Sequence, residues 1–108
     1  MTDMEYIASR LSKEDILCQL AEEASELAQA ALKLRRAMTQ TNPTPITVGE
    51  AVDTLHEECG DVVGSFQVWA KKNNLDDEIY DTLDESIESK FSRWAKRLRE
   101  KEDGDDKD

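Results

Sequence analysis

At 108 residues the chain is one small domain, with room for a single modest core. Apolar residues make up 38% and charged residues 36%, with 4 Gly and 2 Pro, which is the balance of a helical protein with a narrow buried stripe and a solvated outside. The net charge of −11 argues against a nucleic-acid polymer as partner, because such affinity rests on Lys and Arg neutralising phosphates. A phosphate ligand therefore has to be small, and met by metal or by local positive charge. No apolar run approaches membrane-spanning length and no secretory leader pattern opens the sequence, so a cytoplasmic location without membrane contact is expected.

Residues near Asp3 to Leu11 suit a short helix carrying Tyr6, Ile7 and Leu11. Ser12 with Asp15 three residues on has the spacing of a capping box. Ile16, Leu17, Leu20, Ala24, Leu27, Ala31 and Leu34 then recur at threes and fours and predict a helix to about Met38. The segment from Thr39 to Pro45, with prolines at 43 and 45, cannot continue it and reads as a loop. Thr47 with Glu50 opens a second long helix through Val48, Val52, Leu55, Cys59, Val62, Phe66 and Trp69, closing at Lys71–Asn74. Asp76 or Asp77 can cap a third, carrying Ile79, Leu83, Ile87, Phe91, Trp94 and Leu98. Nothing alternates with period two. The predicted fold is all-α: an antiparallel helical bundle of three long helices plus a short N-terminal one. Three apolar stripes on so few residues leave faces uncovered, so completion by oligomerisation, as a homodimer or homotetramer, is expected. The domain is expected to span residues 1–100, with 101–108 a disordered acidic tail.

The chemistry is carried by acids. Glu23 and Glu26 lie three apart on the first long helix, and Glu58 and Asp61 lie three apart on the second. A spacing of three puts both acids of a pair on one side of a helix. Two such helices packed together would gather four carboxylates, which repel unless a cation sits among them. All-oxygen ligands suit Mg²⁺, or Mn²⁺, better than zinc. Each pair is expected at the edge of its own apolar arc, with Glu57 pointing to solvent. No Lys or Arg stands three or four residues from Glu23, Glu58 or Asp61, so intrahelical ion pairs do not neutralise them. Gly60 and Gly64 sit mid-helix, each at a cost of about 1 kcal/mol relative to Ala, as close approach of a ligand or of another helix would require. The plain alternative is that 25 acidic residues among 108 produce such patterns on a merely solvated face. Cys18 and Cys59 read as small buried hydrophobes and the lone His56 as partly buried and structural.

The block Glu22-Glu23-Ala24-Ser25-Glu26-Leu27-Ala28, followed by Glu57-Glu58-Cys59-Gly60-Asp61-Val62-Val63, resembles the E-x-x-E … E-x-x-D signature of the MazG-like all-α nucleoside triphosphate pyrophosphohydrolases. Lys90-Phe91-Ser92-Arg93 is similar to the K-F-x-R segment that follows in those proteins. Thirty-one residues lie between Glu26 and Glu58, a long interval for the family, and Gly60 stands where Ala is frequent. The resemblance implies that Glu23, Glu26, Glu58 and Asp61 hold Mg²⁺, that the metal or a carboxylate such as Glu22 or Glu26 activates the attacking water, and that Lys90 and Arg93 bind the departing phosphates. It implies cleavage of the α–β phosphoanhydride of an NTP or dNTP to a monophosphate and pyrophosphate. Trp69, on the flank of Glu58 and Val62, can stack on the base; the plain alternative is a core or interface tryptophan. Lys90 and Arg93 have their own alternative, a solvated basic face. Two other functions remain open: a non-catalytic helical adaptor, and a degenerate family member that senses nucleotide without turnover.

Overall fold

The computed structural model describes residues 1–106, whose regular structure is entirely helical: α1 (Asp3–Arg10), α2 (Lys13–Thr39), α3 (Val48–Lys72) and α4 (Ile79–Asp106). The fold class expected from the sequence, three long helices and a short leading one, is the one observed. Among the described residues no helix is long and apolar enough to cross a membrane.

The helix starts follow from local chemistry. At the head of each helix the first N–H groups have no partner within the helix. Thr2, Ser12 and Thr47 supply one: each hydroxyl oxygen accepts from the backbone N–H three residues on, at 3.1 Å. At its far end α2 stops on Gln40, in the left-handed conformation (φ 55°). Its backbone N–H donates to the Arg36 carbonyl at 2.8 Å and its side-chain amide to the Ala37 carbonyl at 3.0 Å. The proline-bearing loop through Thr47 then reverses the chain. At the end of α3 the Asn73 side chain donates to the Trp69 carbonyl at 2.8 Å, and Asn74 takes the left-handed turn (φ 58°).

By packing, the chain divides into two units, Met1–Asn74 and the part from Leu75 on. In the first, α2 and α3 lie antiparallel along their length and α1 packs on α3. The seam on α2 is Ile16, Leu20, Glu23, Leu27, Ala30, Leu34 and Ala37, every one buried or half-buried. On α3 it is Ala51, Leu55, Glu58, Val62, Ser65 and Trp69. The strict alternation of fours and threes is the spacing of knobs-into-holes packing. Ala30, Ala37, Ala51 and Ala70 are buried, and residues this small let backbones come close. Ile16, only 2% exposed, is the largest fully buried side chain; burying a residue of that size contributes about 1.5–3 kcal/mol.

This seam is narrower than the arc drawn from the sequence. Leu17, Ala24 and Ala31, expected on the core face, are exposed. So are Cys18 and Cys59, both free thiols, and His56. The reason is geometric. A helix in a two-helix seam buries residues spaced 3.5 apart on average, and those one position off the seam face outward.

In the second unit a turn through Asp76–Glu78 leads into α4, where the Ile79 N–H donates to the Leu75 carbonyl at 2.9 Å. The helix runs past Leu98 to Asp106, so helix covers residues 101–106 of the stretch expected to be a structureless tail. No proline interrupts Arg97–Glu102, which is made of strong helix formers, and Lys96 reaches Glu100 one turn on at 3.8 Å. Residues 107–108 lie outside the described residues. Along α4, Ile87, Phe91, Trp94 and Leu98 share one face and are exposed, Phe91 by 57% and Trp94 by 52%.

Candidate metal centre

The midpoint of the seam is where the acids sit. Glu23 and Glu58 occupy core slots of their helices, in line with Leu20 and Leu27 on one side and Leu55 and Val62 on the other. Both were expected at the edge of the apolar arc; they lie inside it. Glu26 stands one turn further along α2 and is exposed. One oxygen from each of Glu23, Glu26 and Glu58 can be chosen so that all three lie within 4.8 Å of one another.

These carboxylates are poorly provided for by the protein itself. Oε2 of Glu23 and Oε2 of Glu58 are both buried and accept no hydrogen bond. Buried polar atoms almost always find a partner, so an orphan pair at one spot needs a reason. Glu23 Oε1 does have one, accepting from the Gln19 side-chain amide at 2.7 Å. The Glu23 carboxyl titrates above its ordinary value of 4.5. Removal from water is the main cause, reinforced by the nearby negative charges of Glu26 and Asp61, while the Gln19 amide pulls the other way. A site that raises a carboxyl in this way favours a proton or a cation.

Asp61 is exposed and lies outside the group of three, yet its charge reaches Glu23, and the two line a common groove. Glu22 is exposed and is not part of the group. Trp69 is half-buried and stacks on Phe66, with ring centroids 5.9 Å apart and planes inclined by 14°; it does not line the groove. Lys90 and Arg93 belong to α4, in the second unit. There the Lys90 ammonium lies 5.7 Å from the centre of the Trp94 ring, and the Arg93 guanidinium donates to Ser89 Oγ.

The groove has a volume of about 550 Å³, within the range of small-molecule sites. One wall is α1, through Met4, Ile7 and Leu11. Ile16, Gln19 and Glu23 come from α2, and Gly60, Asp61, Gly64 and Gln67 from α3. A Cβ added at Gly60 or Gly64 would meet nothing within 4 Å beyond the adjoining backbone of its own helix. Close helix packing within this chain therefore does not explain either glycine. Gln19, Gln67 and the α1 wall were not identified from the sequence. Gln19 carries a local signal, standing four residues before Glu23 on the same face; Gln67 carries none.

Three all-oxygen donors with two orphaned oxygens fit a hard divalent ion in charge and in donor type. Around an octahedral Mg²⁺ at about 2.1 Å, neighbouring ligand oxygens lie about 3 Å apart and opposite ones about 4.2 Å, so the three carboxylates would close inward to ligate one ion together. Comparison of the chain with protein-family models, with curated proteins and with solved structures finds no match.

Proposed function

We propose that the protein is a Mg²⁺-dependent nucleoside triphosphate pyrophosphohydrolase of the MazG-like kind, acting in the cytoplasm. The observation that carries this reading is the pair of buried, unpartnered carboxylate oxygens of Glu23 and Glu58, residues that take core slots in a seam otherwise built of apolar and small residues and whose carboxylates come within 4.8 Å. A purely structural seam would have leucine or alanine there. Glu23, Glu26 and Glu58, with Asp61 beside them, would hold the ion. When bound, Mg²⁺ neutralises triphosphate oxygens and the charge that develops during cleavage.

The chain's own residues do the rest. Water is the nucleophile, adding to phosphorus as the α–β bridging bond breaks, with a monophosphate and pyrophosphate as products. Glu26 or Glu22, both exposed on α2, accepts the proton that water gives up. Lys90 and Arg93 are assigned to the departing phosphates on chemical type, since guanidinium suits bidentate contact with phosphate oxygens. Trp69 already stacks on Phe66, which supports a packing role over base stacking.

The exposed apolar face of α4 supports a second element of the proposal, that two or more copies associate and cover it. The same face favours the competing reading, a helical adaptor that docks a partner.

A panel of NTPs and dNTPs with Mg²⁺ tests the assignment. Pyrophosphate release is expected from at least one, falling by about 10²-fold or more in Glu58→Gln, as loss of a charge-stabilising group does. No turnover, together with no Mg²⁺-induced rise in melting temperature, would leave the adaptor. Stabilisation by Mg²⁺ and nucleotide without turnover would identify a sensor.

A further inference from the structure

We infer that the groove between α1, α2 and α3 seats the nucleobase, and that Gly60 and Gly64 form its floor and set what it admits. The inference rests on the hydrolase reading above and adds where the base goes and which residues limit its size. Glu23 belongs both to the groove and to the group of three acids, and Asp61 lines the groove beside it, so a nucleotide with its phosphates at the acids has its nucleoside end in the groove. The groove's lining contains no Lys or Arg, so it suits the uncharged end of the ligand. Ile7, Leu11 and Ile16 supply apolar surface for the face of a ring, while Gln19, which donates to Glu23, and Gln67 bring amide groups into the lining.

Gly60 and Gly64 both weaken α3. Space for a Cβ exists at each, because nothing beyond the adjoining helix backbone lies within 4 Å of it. What that Cβ would occupy is groove volume. Glycine at both positions, one turn apart on the groove side, keeps the floor bare for a flat ring.

The test uses the full chain and the variants Gly60→Ala, Gly64→Ala and Gly64→Leu. Melting temperature is read without divalent ion, with Mg²⁺, and with Mg²⁺ plus each nucleoside monophosphate; kinetics are read on the active triphosphate. Both alanine variants should melt a few degrees higher than wild type, since a mid-helix glycine is replaced without a clash. All three should keep the Mg²⁺-induced shift. Gly64→Leu should lose the further shift from nucleotide and raise KM by about tenfold or more, the scale on which one side chain in a pocket discriminates. The alanine variants report smaller effects in the same direction should Gly64→Leu not fold.

If wild type responds to Mg²⁺ and nucleotide while the variants bind nucleotide equally well, the inference fails and the hydrolase reading stands. If wild type responds to neither, the hydrolase reading itself fails. If the variants elute as smaller species and lose nucleotide binding only on dissociation, the glycines serve contact between copies and the inference is overturned.

Discussion

At the scale of single residues, Glu23 is the most informative. A carboxyl in a core slot, with one oxygen tied to Gln19 and the other buried without a partner, destabilises the metal-free chain when ionised. Its raised value means that the folded protein holds this proton more tightly than the unfolded chain does. Stability without divalent ion should therefore fall as pH rises from about 4.5 through the higher folded value, and stay reduced above it. Glu23→Gln removes that dependence. Melting curves in chelator should show the variant more stable than wild type at neutral pH and similar to it in acid, and the variant should lose most of the Mg²⁺-induced rise. A wild type that gains stability over that interval, relative to the variant, would contradict the assigned environment. Glu23 also marks the limit of what could be read from the chain. Its slot was visible in the spacing Ile16, Leu20, Glu23, Leu27, Ala30. An arc averaged over every apolar residue, including the exposed Leu17, Ala24 and Ala31, moved it to the rim.

At the scale of elements, the helix starts were the most legible part, because a hydroxyl three residues before an acid is a local signal needing no tertiary partner. Ser12 and Thr47 both cap as their sequences indicate. Thr47→Ala should cost about 1 kcal/mol, read as a lower denaturation midpoint with unchanged slope. Ile16→Ala, at the largest fully buried side chain, should cost about 2–5 kcal/mol. The far end of α4 was less legible, since an acidic composition marks solvation and says little about whether a helix stops. Tertiary features without sequence periodicity, such as the groove wall from α1 and the position of Gln67, could not be derived at all. They depend on how elements dock, and no spacing within one helix encodes that.

At the scale of the whole molecule, α4 presents Ile87, Phe91, Trp94 and Leu98 along one exposed face. Phe91→Glu combined with Trp94→Glu should shift light-scattering mass toward the monomer if copies of this chain cover that face. An unchanged mass would mean that the stripe is not what joins them.

The paired acids halfway along the α2–α3 hairpin have a kinetic consequence. A zipper of leucine and alanine interrupted at its centre by buried, unpartnered carboxylate oxygens should breathe from the middle, where most hairpins fray from their tips. In deuterated buffer with chelator, backbone amides around residues 20–27 and 55–62 should trade hydrogen faster than those near Ala37 and Ala51. Adding Mg²⁺ should slow exchange in the centre and leave the ends as they were.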